Sequence, residues 1–186
     1  CHVSTKEAIE EIRRAKAQGI NVTCEVTPHH IGLWDNDYKV NPPIRTEEDA
    51  AALIEGIIDG TVDAIATDHA PHTEEDKKKG APGLSGLETA FSVSYTTLVK
   101  GGRIDLMKLS RLMSGNPGRI MGVNKGRIEK GYDGDLVLID LDKELVVDSE
   151  KFLSKGKNTP FKGMKFYGEV KMTIKNGEVK YLKEDL

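Results

Sequence analysis

The sequence has 186 residues, 38% of them hydrophobic and 31% charged, which suffices for one medium domain or one domain with a small satellite. Its formal net charge of -3 excludes the basic field that nucleic-acid binding requires, so we expect no nucleic-acid partner. The sequence has two cysteines, no signal peptide and no apolar run near the ~20 residues of a membrane span. These features predict a soluble cytoplasmic protein without a membrane partner.

The beginning of the chain predicts a helix and then a strand. The opening Cys1-His2-Val3 is typical of a strand end, so we expect a fragment, a processed product or a partial polypeptide. Ser4 and Glu7 have capping-box spacing before an apolar stripe, which predicts a helix over residues 5–18. Residues 20–26 then alternate between apolar and polar side chains, as in a strand with one polar face. In a barrel the polar set, Glu25 included, would face inward.

The next segment repeats this pattern. Thr46 and Asp49 again have capping spacing, and an apolar stripe continues to Gly60. The apolar run over residues 62–66 predicts a second strand, and a further helix ends near residue 99. Alternation of helices and strands predicts a parallel sheet with helical crossovers.

Two long loops follow the predicted strands, over residues 27–45 and 68–85, and they carry four of the five histidines. Loops at the carboxyl ends of parallel strands are where α/β proteins assemble their sites. Within the second loop, the acidic residues 74–76 largely cancel the lysines 77–79, which predicts a solvated loop.

The last third of the chain has a different composition. After a helical piece over residues 106–113, the composition changes at Gly115-Asn116-Pro117. Short apolar runs typical of strands then occupy residues 136–139, 145–147, 170–174 and 179–181. Asn176-Gly177 predicts a tight hairpin between the last two runs. We therefore predict two domains, residues 1–125 as an α/β unit and residues 126–186 as a small β subdomain.

One acid and two histidines directly follow the second predicted strand, in Ala66-Thr67-Asp68-His69-Ala70-Pro71-His72. His2 stands at the end of another strand, and strand ends of one parallel sheet meet at one rim. Imidazole and carboxylate together form a zinc-type ligand set. Taken singly, His2 is more typical of a capping or hydrogen-bonded histidine, and Asp68 is consistent with a polar loop residue.

Two ligands are too few for a catalytic zinc, which generally takes three from protein. The others must come from His29 or His30, from Glu25, or from chain outside this sequence. Pro28 favours extended geometry before the two histidines. Adjacent side chains in a strand point to opposite sides, so we expect at most one of this pair to face a site.

Several motifs are specific in order and spacing: Cys1-His2-Val3-Ser4-Thr5-Lys6-Glu7, Glu25-Val26-Thr27-Pro28-His29-His30, Tyr38-Lys39-Val40-Asn41-Pro42-Pro43-Ile44-Arg45, Ala66 to His72, and Gly83-Leu84-Ser85-Gly86-Leu87-Glu88-Thr89. They resemble the dihydroorotase family of the long bacterial and archaeal type. Residues 126–140 resemble the returning β segment of the amidohydrolase superfamily, and residues 157–163 are again similar to dihydroorotases. The resemblance covers essentially the whole chain, but only about the second half of the family's protein.

The resemblance implies an α/β fold, the C-terminal part of a (β/α)8 TIM-type barrel with a small β-sandwich subdomain. It implies reversible, zinc-dependent hydrolysis of the cyclic amide of dihydroorotate to N-carbamoyl-aspartate, a step of pyrimidine synthesis. The implied cofactor is Zn²⁺, in a binuclear centre whose further ligands lie outside this chain. The implied partners are the small-molecule substrate and the missing amino-terminal half, with a homodimer or an aspartate carbamoyltransferase as further possibilities.

Carried over by motif, the resemblance implies His2 and Asp68 as zinc ligands and Asp68 also as general base and acid. It implies Asn41 and His72 as substrate contacts, and Pro82-Gly83 as a loop whose backbone meets the substrate. From the sequence alone, Asn41 is equally consistent with a turn residue before two prolines. His69 and Arg45 are expected to have supporting roles.

Because the remaining metal ligands and part of the substrate clamp belong to the other half of the family's protein, we expect activity only with that half present. Two other interpretations stay open. One is a non-catalytic dihydroorotase-like scaffold, for instance for an aspartate carbamoyltransferase. The other is a different cyclic amidase, such as an allantoinase or a hydantoinase.

Overall fold

Helices alternate with short parallel strands in the first two-thirds of the chain. The computed structural model describes residues 1–183 and begins with α1 (Lys6–Ala17), β1 (Glu25–Val26), α2 (Pro28–Gly32), α3 (Glu47–Asp59), β2 (Ala64–Ile65) and α4 (Glu74–Lys78). The following helical segments are α5 (Ala90–Ser94) with a π-helical continuation (Tyr95–Lys100), α6 (Leu106–Ser110) with a π-helical continuation (Arg111–Gly115), and α7 (Asn116–Met121). The rest contains β3 (Leu136–Val146), a 3-10 turn (Ser149–Lys151), β4 (Lys165–Lys175) and β5 (Glu178–Leu182).

The parallel sheet brings three strand ends to one rim. β1 and β2 are parallel, with Glu25 opposite Ala64. On the other side of β1, the backbone N–H of Val3 donates to the carbonyl of Glu25 at 3.0 Å, so the start of the chain extends the sheet. The predicted parallel arrangement is confirmed, but the regular strands are shorter than the predicted ranges 20–26 and 62–66.

Side-chain caps fix the starts of the longer helices. At α3, Thr46 and Asp49 form the predicted capping box, each side chain accepting the other's backbone N–H. The box predicted from Ser4 and Glu7 is wrong, because α1 begins one residue later with Thr5 as its N-cap. The helix itself agrees with the predicted range.

Residues 74–78 form α4 instead of the predicted solvated loop. The hydroxyl of Thr73 accepts the backbone N–H of Asp76 at 3.1 Å and so caps the helix. The acidic side chains in its first turn stabilise it further, because they interact favourably with the positive end of the helix dipole. The helical piece predicted over residues 106–113 is also longer, because helical backbone continues through α7. Within the described residues, every helix is too short or too polar to cross a membrane.

Two apolar clusters form the core. The first lies around the parallel strands and α3, and its fully buried members include Ile9, Val26, Leu53, Ile57, Leu98 and Leu109. The second joins the two predicted domains, with Leu33, Leu84, Val93, Val147, Phe161 and Phe166. Because apolar burial is the main stabilising term in folding, this shared cluster fixes the C-terminal strands against the helices. The domain boundary at residue 126 stays a prediction.

The C-terminal part forms an antiparallel sheet in the order β3-β4-β5. Asn176 and Gly177 have φ values of 52° and 78°, the left-handed pair of a tight hairpin turn, so the predicted hairpin is confirmed. β3 is one strand of 11 residues where the sequence predicted two short ones. A break in register between Asp140 and Glu144 separates its two halves.

Candidate active site

His2 and Asp68, the two predicted metal ligands, lie side by side at the rim of the sheet. The Nε2 atom of His2 is 3.5 Å from Oδ1 of Asp68, and the side chains are 29% and 18% exposed. Both residues have a left-handed backbone, with φ of 53° and 49°. This conformation is costly for residues other than glycine and clusters at functional sites. The sheet thus directs an imidazole and a carboxylate at one partly open point.

Glu25 orients the imidazole of His2. Its Oε1 atom accepts the backbone N–H of His2 at 2.6 Å and lies 2.9 Å from Nδ1 of the ring. The approach to Nδ1 does not have hydrogen-bond geometry, so Glu25 holds His2 through the backbone N–H, and Nε2 is the ring nitrogen that faces Asp68. Histidines that bind metals generally have such a partner on their second nitrogen. The sequence placed Glu25 on the inward face without giving it this role.

His2 and Asp68 have the chemistry of zinc ligands but do not complete a site. Within residues 1–183, no group of three or more histidine, cysteine, aspartate or glutamate side chains could hold a metal ion. A catalytic zinc generally takes three protein ligands. The described residues therefore fit one wall of a metal centre.

His30 ties two loops together and is not directed to the rim. It lies in α2, and its Nε2–H donates to the carbonyl of Pro42 at 2.9 Å. The hydroxyl of Thr27 lies 2.7 Å from Nδ1 and also accepts the backbone N–H of His30. Because α2 is helical, the strand geometry behind the prediction for these two histidines is wrong, but only His29 of the pair comes within 4 Å of Asp68. The rings of His29 and His30 are both buried, with centroids 4.3 Å apart.

His29 lies behind the carboxylate of Asp68. Its side chain is 1% exposed, and its Nε2 atom is 3.9 Å from Oδ2 of Asp68. Neither ring nitrogen has a hydrogen-bond partner within the described part of the chain. Burial, the largest cause, together with nearby His30 and His2, lowers the pKa of His29 to about 3. A neutral imidazole therefore lies next to the carboxylate.

Three of the predicted substrate contacts meet in the loop after β2. The Nε2–H of His72 donates to the carbonyl of Pro82 at 2.9 Å. Gly83 has a φ of 138°, and a Cβ atom there would lie 2.4 Å from the carbonyl oxygen of Ala70. Only glycine fits this position without moving the backbone. The side chain of His72 and the backbone of residues 82–83 thus form one edge of the candidate site.

Asn41, the fourth predicted contact, lies in the neighbouring loop and is exposed. The backbone N–H of Gly83 donates to the carbonyl of Lys39 at 3.0 Å, which holds this loop against the first one. His69, for which a supporting role is expected, accepts the backbone N–H of Gly86 at Nδ1, at 3.2 Å. The arrangement therefore places Asn41 two residues from a direct contact with Gly83.

Lys77 is a residue of this region that the sequence prediction missed. Its ammonium group donates to the carbonyls of Lys39, Ala81 and Gly83 at 2.9, 3.0 and 2.8 Å. It also lies 4.3 Å from the centroid of the Tyr38 ring. Burial lowers the pKa of Lys77, and the charge of Lys39 acts in the same direction. Lys77 is one of three consecutive lysines, so no sequence pattern distinguishes it.

The sequence of this chain matches a known protein family over almost its whole length. The model of the amidohydrolase family matches residues 1–180. The dihydroorotase of Clostridium botulinum (strain Eklund 17B / Type B) is 60% identical over 185 residues, covering 98% of this chain and 46% of that protein. The dihydroorotase of Thermoanaerobacter sp. (strain X514) is 52% identical over 194 residues, covering 98% of this chain and 45% of that protein. The chain thus spans about half the length of these relatives.

Solved structures show the same fold. The L-hydantoinase (dihydropyrimidinase) from Arthrobacter aurescens superposes on all of this chain with a TM-score of 0.92 at 33% identity, using 45% of its own length. The D-hydantoinase from Bacillus sp. AR9 gives a TM-score of 0.92 at 25% identity, with 100% and 45% covered. The predicted fold class, part of a TIM-type barrel with β structure, is confirmed. Amidohydrolases are generally metal-dependent. From the match over residues 1–180, the chain belongs to the amidohydrolase family.

Proposed function

We propose that this chain is the carboxyl-terminal half of a zinc-dependent dihydroorotase. The reaction is the reversible hydrolysis of the cyclic amide of (S)-dihydroorotate to N-carbamoyl-L-aspartate, in pyrimidine (UMP) biosynthesis. The observation that carries the proposal is the pair of His2 and Asp68, 3.5 Å apart and both in a left-handed conformation at one rim of the barrel. The 60% identity to a dihydroorotase supports the choice of substrate.

His2, through Nε2, and Asp68, through its carboxylate, would hold zinc from this half of the protein. The amino-terminal half is the partner that the proposal requires, because it would supply the remaining ligands. Zinc, when bound, acts as a Lewis acid that makes water acidic enough to serve as a nucleophile near neutral pH. The carboxylate of Glu25, 2.9 Å from Nδ1 of His2, supports this role, since a partner on that side of the ring leaves Nε2 facing Asp68.

Asp68 would move the proton in this reaction. Its carboxylate takes a proton from the attacking water and gives it to the ring nitrogen that leaves when the amide bond breaks. The ring of His29 lies 3.9 Å from Oδ2 and is neutral, so it brings no further charge to this carboxylate.

The substrate would bind between the two loops. The Asn41 amide suits the pyrimidine edge, because it offers a donor and an acceptor, and the His72 imidazole suits the substrate carboxylate. The backbone of Pro82 and Gly83 can approach the ring closely, since Gly83 carries no side chain. The hydrogen bond from His72 to Pro82 keeps these groups on one side of the site.

The alternatives predict different chemistry. A hydantoinase-like specificity is supported by fold similarity at 33% identity, against 60% identity to a dihydroorotase over the same chain. A non-catalytic scaffold for an aspartate carbamoyltransferase or a homodimer would not need His2 and Asp68 in costly backbone conformations facing each other. No observation supports either alternative as directly as the His2–Asp68 pair supports a metal-dependent amide hydrolase.

The test uses the complete polypeptide loaded with zinc. Zinc per chain is measured, and hydrolysis of dihydroorotate is followed beside allantoin and hydantoin under the same conditions. We expect dihydroorotate to be turned over with the highest kcat/KM, and the Asp68→Asn variant serves as the control for contaminating activity. A metal-loaded protein that turns over none of the three would favour the scaffold. Preference for hydantoin or allantoin would favour the other amidases.

A further inference from the structure

Lys77 connects the two loops that carry the proposed substrate contacts. One loop holds Asn41 and the other holds Gly83, and the ammonium group lies between their backbones. We propose that Lys77 is a positioning residue that sets the spacing of these loops and thereby the affinity for substrate. This inference rests on the proposed function, since that function supplies the roles of Asn41 and Gly83.

The hydrogen bonds of Lys77 use its full donor capacity. A lysine ammonium has three N–H donors, and here each has a backbone carbonyl within 3.0 Å, from Lys39, Ala81 and Gly83. Hydrogen bonds from a charged donor are stronger than those between neutral groups. The Tyr38 ring lies 4.3 Å from the same nitrogen and adds a cation–π contact. Lys77 thus acts as a rigid link and not as a solvated surface charge.

Lys39 is the point at which the two loops meet. Its carbonyl accepts from Lys77 Nζ at 2.9 Å and from the backbone N–H of Gly83 at 3.0 Å. The ammonium group of Lys77 also donates to the carbonyl of Gly83, so the peptide groups on both sides of Gly83 are held. Asn41 follows Lys39 by two residues. The position of Asn41 relative to the Gly83 backbone therefore depends on this cluster.

Without the ammonium group, the loops have room to move. A cavity of about 250 Å³ borders Lys77 and Tyr38. The carbonyls of Ala81 and Gly83 would lose their charged donor, leaving the contacts of His72 with Pro82 and of Gly83 with Lys39. Loops that are free to move must be ordered when substrate binds, which lowers the affinity. His2 and Asp68 would stay in place, because the sheet and Glu25 hold them.

The geometry predicts an effect on substrate binding and not on the chemical step. Lys77→Met keeps the apolar stem and removes all three donors. In the complete, zinc-loaded polypeptide we expect KM for dihydroorotate to rise on the order of tenfold, the scale of one lost charged hydrogen bond, with little change in kcat. Amide hydrogen exchange in residues 80–84 should become faster at the same time. The matched control is Lys79→Met, because Lys79 is the exposed C-cap residue of the same helix and pairs with Glu75.

Lys77→Arg is a second variant that keeps the positive charge and changes only the donor geometry. It provides the test if Lys77→Met does not fold. A planar guanidinium keeps the charge but does not place three donors on convergent carbonyls as an ammonium does. We expect it to raise both KM and the exchange rate at residues 80–84. Unchanged exchange and unchanged KM in both variants would overturn the proposal, as would a loss confined to kcat. If the unmodified protein does not turn over dihydroorotate, the proposed function fails, whereas the exchange rates still test the link itself.

Discussion

His2 Nε2 and Asp68 Oδ1 lie 3.5 Å apart at the rim of the parallel sheet, and both residues have a positive φ. The two side chains come from different strand ends, so only the folded barrel segment brings them together. Nitrogen and oxygen ligands of one zinc ion lie about this far apart, because each metal–ligand bond is ~2.0–2.2 Å long. The tests of function therefore centre on this pair and on the residues that hold it.

Replacing Asp68 with asparagine tests its proposed role as proton carrier. The amide keeps the shape of the side chain but cannot accept the proton, so we expect kcat to fall by roughly 10²–10⁴-fold. The circular dichroism spectrum should not change. The control is Asp35→Asn, because Asp35 also has a left-handed backbone, with φ of 47°, and is exposed. A fully active Asp68→Asn enzyme would remove the proposed role.

Glu25 is expected to control zinc affinity through His2. In Glu25→Gln, the partner of Nδ1 loses its charge, and changes of this kind typically lower metal affinity by about 10–100-fold. Competition with a coloured chelator measures the affinity directly in the complete polypeptide. Glu55→Gln on the exposed face of α3 should bind zinc like the unmodified protein. Equal affinities for the two variants would contradict the role assigned to Glu25.

Gly83→Ala should destabilise the protein more than substitution of another left-handed glycine. Alanine at Gly83 has an unfavourable φ and a Cβ atom 2.4 Å from the Ala70 carbonyl oxygen. Alanine at Gly131 has a φ of 95° but meets nothing within 4 Å. We expect a loss of about 1 kcal/mol in the free energy of unfolding for Gly131→Ala and about 2–4 kcal/mol for Gly83→Ala. Urea unfolding measures both, and equal losses would exclude the close contact.

The buried His29 predicts lower stability in acid. Its pKa is about 3 in the folded chain and near 6.5 in the unfolded chain. Between these values only the unfolded chain binds the proton, so the free energy of unfolding decreases as pH falls. The slope from this one group is at most ~1.4 kcal/mol per pH unit, and its contribution is complete above pH ~6.5. In His29→Gln, we expect the slope of the free energy of unfolding against pH to be smaller between these limits, by at most ~1.4 kcal/mol per pH unit. An unchanged slope would show that His29 is not buried in its neutral form.

Features set by local pattern were predictable from the sequence. The capping box of Thr46 and Asp49, the hairpin at Asn176-Gly177 and the alternation of helices with parallel strands all follow from short-range rules. The start of α1 was misplaced by one residue, because Ser4 and Thr5 are both good N-cap residues.

Features set by tertiary contact were not predictable in the same way. The extended backbone predicted before Pro28 is confirmed at Thr27, with φ of -114° and ψ of 157°. Thr27 then caps α2 and Pro28 occupies its first turn, so His29 and His30 are helical and not in a strand. Lys77 acts through carbonyls that are close only in the folded chain. The candidate site was predictable as a set of residues at strand ends, whereas the contacts of Glu25, His29 and Lys77 required the structure.

The central claim is that this chain supplies one wall of a zinc site and needs the other half of the protein to complete it. The most direct test measures tightly bound zinc and dihydroorotate hydrolysis for the isolated 186-residue chain and for the complete polypeptide. We predict that the complete polypeptide retains zinc and turns over dihydroorotate, while the isolated chain retains no binuclear zinc centre and is inactive. An isolated chain that binds two zinc ions tightly and hydrolyses dihydroorotate would contradict the claim.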